Sequence, residues 1–213
     1  MTLLRRAFAL AVLQAAPLLH GQVIEFESGG LRYQTLSHEG LTVMFAPLPQ
    51  QIRNYVILQV AVSNGSQFAH MVRPEDFRFV REDGRVLRAV PPRQVVQGFL
   101  DKAGRNDVIR MVTLYEMGLY GMSRFRSTSG YEQRRQQALA EVSNPRLKAA
   151  ASASAIVLVP VKLQPGESTD GAVFFEAPEK KLGDGRLIAT IGEQVFEFRV
   201  GAFDHPGTLI RRP

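Results

Sequence analysis

Tyr55-Val56-Ile57-Leu58-Gln59-Val60-Ala61-Val62-Ser63-Asn64 is the stretch that decides how this chain folds. At period two it places Val56, Leu58, Val60 and Val62 on one face and Tyr55, Ile57, Gln59 and Ala61 on the other. Both faces are largely apolar, so the strand belongs in the middle of a sheet that is covered on each side. Upstream, Leu41, Val43 and Phe45 alternate with Thr42 and Met44, a second strand. Turn residues fall where hairpins need them: Ser28-Gly29-Gly30, His38-Glu39-Gly40, Asn64-Gly65-Ser66, and Glu82-Asp83-Gly84 between Phe77-Arg78-Phe79-Val80 and Arg85-Val86-Leu87. Strands that recur with turns at this short spacing are the pattern of an antiparallel sandwich.

The period then changes. From about Pro92 to Ala153 apolar residues recur at helical spacing, first Val95, Val96 and Phe99, then Val108, Val112, Tyr115 and Leu119. Ser129 and Glu132 have capping-box spacing and predict a helix over about 130–142, and Asn144-Pro145 restarts a helix through the alanines up to Ala155. Strands return after Ile156. Val157, Val159, Val161 and Leu163 share a face with Pro160 opposite, which implies a strand end or an edge; Ala172 to Phe175, Leu187 to Ala189 and Phe196 to Val200 follow. Neither β half can cover its own apolar faces. The expected architecture is therefore mainly β: one antiparallel β-sandwich split by an α-helical insertion, with Val60, Phe77, Phe79, Phe174, Phe196 and Phe198 in one core. The divisions expected are 1–21 a signal peptide, 22–91 the first part of the sandwich, 92–155 the insertion, 156–203 the second part, and 204–213 a tail.

The leader rests on residue order. Arg5 and Arg6 precede an apolar run from Ala7 to Leu19, and small Gly21 follows, the basic–apolar–small order of a secretory signal cleaved near Gly21–Gln22. The run is too short for a membrane span, and nothing after Gly21 is long enough for one. The chain has no cysteine, which removes disulfides, thiolate metal sites and cysteine nucleophiles. Export without disulfides points to a bacterial periplasm or exterior.

The run from Tyr55 to Ser66, then Arg73-Pro74-Glu75-Asp76-Phe77-Arg78-Phe79-Val80, Asp83-Gly84-Arg85 and the later Leu163-Gln164-Pro165-Gly166-Glu167-Ser168 leading into Ala172 to Glu176, resembles the immunoglobulin-like (telokin-like) domains of bacterial exported proteins of unknown function. The resemblance covers about half of the chain after the leader, and the segment from Pro92 to Ala155 departs from the family pattern. It implies an immunoglobulin-like antiparallel β-sandwich, here split by an α-helical segment, and export, and it carries over no catalytic residues.

Motifs for chemistry are sparse. His38, His70 and His205 are far apart and lack ligand spacing; Gly121-Met122-Ser123-Arg124-Phe125 starts like a nucleophile elbow but has Phe125 where the turn requires glycine; no glycine-rich phosphate loop occurs. No catalytic residue, cofactor or metal is expected. Glu75-Asp76 and Glu82-Asp83 read as turn-capping pairs, and Asn64-Gly65-Ser66, although it has the form of a glycosylation acceptor, as a strand-end turn.

Charge supplies the lead. The chain carries a net charge of +6, and between Gly98 and Ala150 nine basic residues face five acidic ones. Arg124, Arg126, Arg134 and Arg135, with Met117 and Tyr120 among the neighbouring methionines and aromatics, are the candidate partner-contact residues, suited to an envelope protein or an anionic surface component. The competing assignments are a solvated helical face for the arginines and the insertion's own core for Met117 and Tyr120. A nucleic-acid partner is not expected, because no recognition motif accompanies the charge. Two function classes follow: a non-enzymatic exported interaction module, or a periplasmic hydrolase or small-ligand binder whose site lies between insertion and sandwich, with His70, Glu75 or Asp76 meeting an insertion arginine. The exported protein is expected to begin close to Gln22, which N-terminal sequencing of protein recovered outside the cytoplasm checks; recovery of Met1 there refutes the leader.

Overall fold

The computed structural model describes residues 21–104, 144–177 and 182–201, together with 106, 107, 109, 110, 113, 130, 133, 134 and 136. Where the sequence alternates, the backbone is extended: β1 (Ile24–Ser28), β2 (Leu31–His38), β3 (Leu41–Pro47), β4 (Tyr55–Asn64), β5 (His70–Val72), β6 (Phe77–Arg81) and β7 (Val86–Arg88). Helices α1 (Pro92–Lys102) and α2 (Pro145–Ile156) come next, then β8 (Val161–Leu163), β9 (Ser168–Glu176), β10 (Gly185–Ile191) and β11 (Gln194–Val200). The hairpins turn where glycine permits it. Gly29 and Gly30 have φ of 59° and 77°, and Glu39 and Gly40 have 44° and 82°, the paired positive values of type I′ turns, whose twist matches the flanking strands.

The strands form three antiparallel sheets, ordered β1-β2-β3-β4-β9, β11-β10-β6-β7, and β5-β8. Each combines strands from before and after the helices. β9 runs along the whole of β4, from Tyr55 opposite Glu176 to Ser63 opposite Ser168, and β10 pairs with β6. One face of the five-stranded sheet, through Val43, Phe45, Leu58, Val60, Val62 and Phe175, shares a core with Phe77, Phe79, Leu187, Phe196 and Phe198 of the four-stranded sheet. The other face, through Tyr33, Ile57, Ala61 and Phe174, packs against Val95 and Phe99 of α1 and Ala149 and Ala153 of α2. The chain is thus mainly β, with α1 and α2 on the outer face of the larger sheet.

Both helices have readable boundaries. α1 starts with Pro92 at its first position, where the missing amide hydrogen costs nothing, and turns its Val95/Phe99 stripe inward. α2 is capped by Asn144, whose Oδ1 accepts from the Arg146 amide at 2.8 Å, with Pro145 at the first position as the sequence predicts. The small side chains of α2, Ala149, Ala150, Ser152, Ala153 and Ala155, let it sit close to α1 and the sheet, burying it along much of its length.

Two sequence expectations need correction. Phe174 is not in the core with Val60, Phe77, Phe79, Phe196 and Phe198; it lies on the helical side, and Phe175 takes the place assigned to it. Adjacent strand residues face opposite ways, so the register of β9 on β4, Phe174 opposite Ile57 and Phe175 opposite Val56, decides which aromatic enters which core. Likewise Val157, Val159, Val161 and Leu163 do not share one face. Val157 and Val159 pack on the helical side and Val161 and Leu163 on the other, because the chain changes partner across Pro160: Val157 bridges Ala172 of β9, whereas Val161–Leu163 pairs with β5.

Phe198 is fully buried and meets Phe45 edge-on, with ring centroids 5.0 Å apart. Phe198→Ala is expected to cost about 3–5 kcal/mol, the range for emptying a buried aromatic site, and to lower one cooperative melting transition that includes strands from both sides of the helices. Calorimetry resolving separate transitions for residues 22–91 and 156–203 refutes the shared core.

Candidate functional site

The boundary between helices and sheet is where the sequence places a possible ligand site, and it is filled by rings. Tyr55 of β4, Phe99 of α1 and Phe174 of β9 form a triangle with centroids 5.9, 5.7 and 6.3 Å apart. Beside it Arg53, held at φ 58°, reaches the Lys102 carbonyl and, at 3.5 Å, the Asp107 carboxylate. The same Asp107 Oδ2 accepts from the Gly104 amide at 2.9 Å. These polar groups clasp the end of α1 to the loop before β4 and are consumed in doing so. Burial raises the Tyr55 hydroxyl above its usual range, the nearby Glu176 charge pushing the same way and Arg53 opposing it.

Of the sequence candidates, Arg134 lies among the described residues; Met117, Tyr120, Arg124, Arg126 and Arg135 lie outside them. Arg134 is half-buried, and its Nε and Nη2 donate to the Ala155 carbonyl at 3.2 and 3.0 Å. That carbonyl belongs to the last turn of α2, where helix acceptors lack intrahelical partners and the dipole is negative, so a guanidinium there satisfies both. Arg134 is thereby an anchor between the intervening segment and α2. Ser129 and Glu132, the predicted capping box, and the Ser123 elbow also lie outside the described residues.

His70, Glu75 and Asp76 do not meet an arginine of the insertion among the described residues. His70 Nε2 is 2.9 Å from Ser66 Oγ in a local network around Asn64, a fully buried side chain. Asn64 Nδ2 donates to the Phe68 and Leu163 carbonyls at 2.7 and 3.1 Å, and its Oδ1 accepts from the Ser66 amide and hydroxyl. With both amide hydrogens engaged, Asn64 is a strand-end hub and not an accessible acceptor for a sugar. Asp76 Oδ2 accepts from the Arg73 amide at 2.7 Å and closes the 3-10 turn Pro74–Asp76; Asp83 likewise accepts from the amide and side chain of Arg85. Those contacts hold the Asp83 carboxyl below its ordinary range. Both acidic pairs supply turn caps, as their residue types in those contexts predict. Among the described residues no three His, Asp or Glu side chains are placed to hold a metal ion. No described helix is long and apolar enough to cross a membrane.

A concave feature occurs elsewhere, at one lateral opening between the two larger sheets, and sequence reasoning missed it. Val23, Glu25, Gln34, Leu36, His38 and Glu39 line it from the β1–β2 side, and Glu193, Gln194, Val195, Glu197 and Arg199 from the β11 side, around about 1410 Å³. Its acidic residues come from two hairpin turns and two strands distant in sequence, and only the pairing of those strands brings them together.

No protein-family model and no curated protein matches the chain. Among solved structures, the yjhA protein from Bacillus subtilis covers 78% of this chain and 77% of its own at 9% identity, with a TM-score of 0.31.

Burial raises the Asp76 carboxyl above its ordinary 3.8, the Arg73 amide and charge offset part of this, and Glu75 adds to it. The folded chain therefore holds this proton more tightly than the unfolded chain. The stability it contributes is present below about pH 3.8 and is lost as pH rises through the folded value. Asp76→Asn keeps an acceptor for the Arg73 amide and removes the titration, so its melting temperature relative to the unaltered protein should rise between about pH 3 and pH 7. Thermal melts across that range check it; a constant difference refutes it.

Proposed function

We propose that the chain is an exported, non-enzymatic module: an immunoglobulin-like, telokin-like β-sandwich that serves as a rigid frame while the segment between α1 and α2 offers a basic contact surface to an envelope protein or an anionic surface component. The observation that carries this reading is the state of the helix–sheet boundary. A hydrolase or small-ligand site there needs a concave, polar cleft, whereas Tyr55, Phe99 and Phe174 fill the boundary and Arg53 and Asp107 are bound to each other and to backbone. The excess of basic residues between Gly98 and Ala150 then acts through its field on a partner.

The arginines have to be separated by role. Arg124→Gln, Arg126→Gln and Arg135→Gln together should weaken binding of the exported protein to envelope components, most at low salt, and leave the melting temperature unchanged. Arg134→Gln, which cuts two hydrogen bonds to Ala155, should instead cost about 1.5–3 kcal/mol of stability, the range for a charged hydrogen bond. Binding assays paired with thermal melts distinguish the two. Undiminished binding by the triple variant refutes the contact surface and returns those residues to solvent.

A further inference from the structure

We infer that the cleft between β11 and the β1–β2 hairpin binds an extended, basic peptide segment of a partner, added as a strand to the edge of β11. The proposal goes beyond the reading above and uses no residue of the insertion.

The first ground is the backbone. β11 is an end strand of its sheet, and its hairpin with β10 closes at Ile191 opposite Gln194. In an antiparallel pair that closes this way, Gln194, Phe196, Phe198 and Val200 bond to β10, so the amides and carbonyls of Val195, Glu197 and Arg199 point to the free edge. The Gln34 side chain confirms that direction, since its Nε2 donates to the Arg199 carbonyl at 3.1 Å from across the cleft. Among the described residues no strand pairs with this edge.

The second ground is chemical. Glu25, Glu39, Glu193 and Glu197 line the cleft against a single cation, Arg199, in a chain whose net charge is +6. Glu197 is paired with Arg186 at 2.9 Å, whereas Glu25 and Glu39 accept from the neutral side chains of Gln34 at 2.6 Å and Gln194 at 3.4 Å, so their negative charge and that of Glu193 are there to meet a ligand's. A donor-rich cation answers the carboxylates, and among the described residues no three acidic or His side chains converge as a metal ion would need.

The third ground is size. At about 1410 Å³ the cleft exceeds the ~300–1,000 Å³ of small-molecule pockets. Strand addition derives affinity from main-chain bonds and selectivity from alternate side chains, here lysine or arginine against the glutamates, with apolar residues between them facing Val23 and Leu36.

The test uses a fluorescent peptide of alternating lysine and valine, the same peptide N-methylated at alternate amides to abolish one hydrogen-bonding edge, and the full chain. The unmodified peptide should bind, and N-methylation of the pairing edge should weaken it roughly tenfold or more. Glu25→Gln, Glu39→Gln and Glu193→Gln together should weaken it about as much and reduce its salt dependence. Val195→Pro removes only an outward amide, a place where an edge strand tolerates proline, and should also weaken binding. If that variant does not fold, the N-methylated peptide on the unaltered chain still decides. Absence of binding, or equal binding of both peptides, overturns the proposal. A dimer in sedimentation that Val195→Pro dissolves overturns it too, by making a second copy the occupant.

Discussion

The pairing of β4 with β9 is the constraint on which the rest of the molecule depends. Along its length one face presents Leu58, Val60, Val62, Val173 and Phe175 and the other Ile57, Ala61, Ala172 and Phe174, all buried. A two-strand ribbon that is apolar on both sides is unstable in water until both are covered, and the two covers differ in kind. The four-stranded sheet closes one side and the helices close the other. At roughly 25 cal/mol per Å² of apolar surface, neither cover can be dispensed with, because opening either side returns several aromatic and branched side chains to water.

The same pair dictates where the helical segment must be attached. The outer edge of β9 has no full-length partner among the described residues; two short pieces of chain bond to it instead. The Val90 amide donates to the Phe174 carbonyl at 2.8 Å just before α1, and the Leu158 amide donates to the Ala172 carbonyl at 2.9 Å just after α2. Entry and exit of the helices are thus tied to one strand, which fixes where both helices meet the Phe174 face. Gly171 makes the second tie possible. A Cβ on it would lie 2.4 Å from the Leu158 Cα, so only a residue without a side chain lets that backbone cross so near. The reason for a glycine inside β9 lies in the crossing chain and not in the residues beside it.

How far the sequence could be read follows from the range of each interaction. β4 as a central strand, the glycine turns at Gly29-Gly30 and Glu39-Gly40, the Val95/Phe99 stripe and the Asn144-Pro145 start of α2 were all legible, because each is decided by residues within a turn or two of one another. The choice between Phe174 and Phe175 was not, since both are equally apolar and only the register against β4 separates them. Nor was the burial of Gln59 and Asp170 on the helical side, where Tyr33 donates to Gln59 Oε1 at 3.2 Å. Of the proposed contact residues, the sequence marked Arg134 by charge alone, while its bonds to Ala155 depend on the docking of α2 against it.

The lateral cleft was illegible for a further reason: its most specific groups are not side chains. Backbone amides and carbonyls on a free edge leave no trace in composition, and the glutamates beside them, Glu25, Glu39, Glu193 and Glu197, read one by one as ordinary turn and edge residues. Their joint effect exceeds what the net charge suggests. With a screening length of about 8 Å at physiological ionic strength, a ligand entering the cleft responds to the carboxylates around it and hardly to the basic excess elsewhere. A chain with a net charge of +6 can therefore present a locally acidic cleft. The two faces of the larger sheet differ accordingly: the one under the helices is closed by Val95, Phe99, Ala149 and Ala153, while beside the other the edge of β11 stays unpaired by any strand among the described residues.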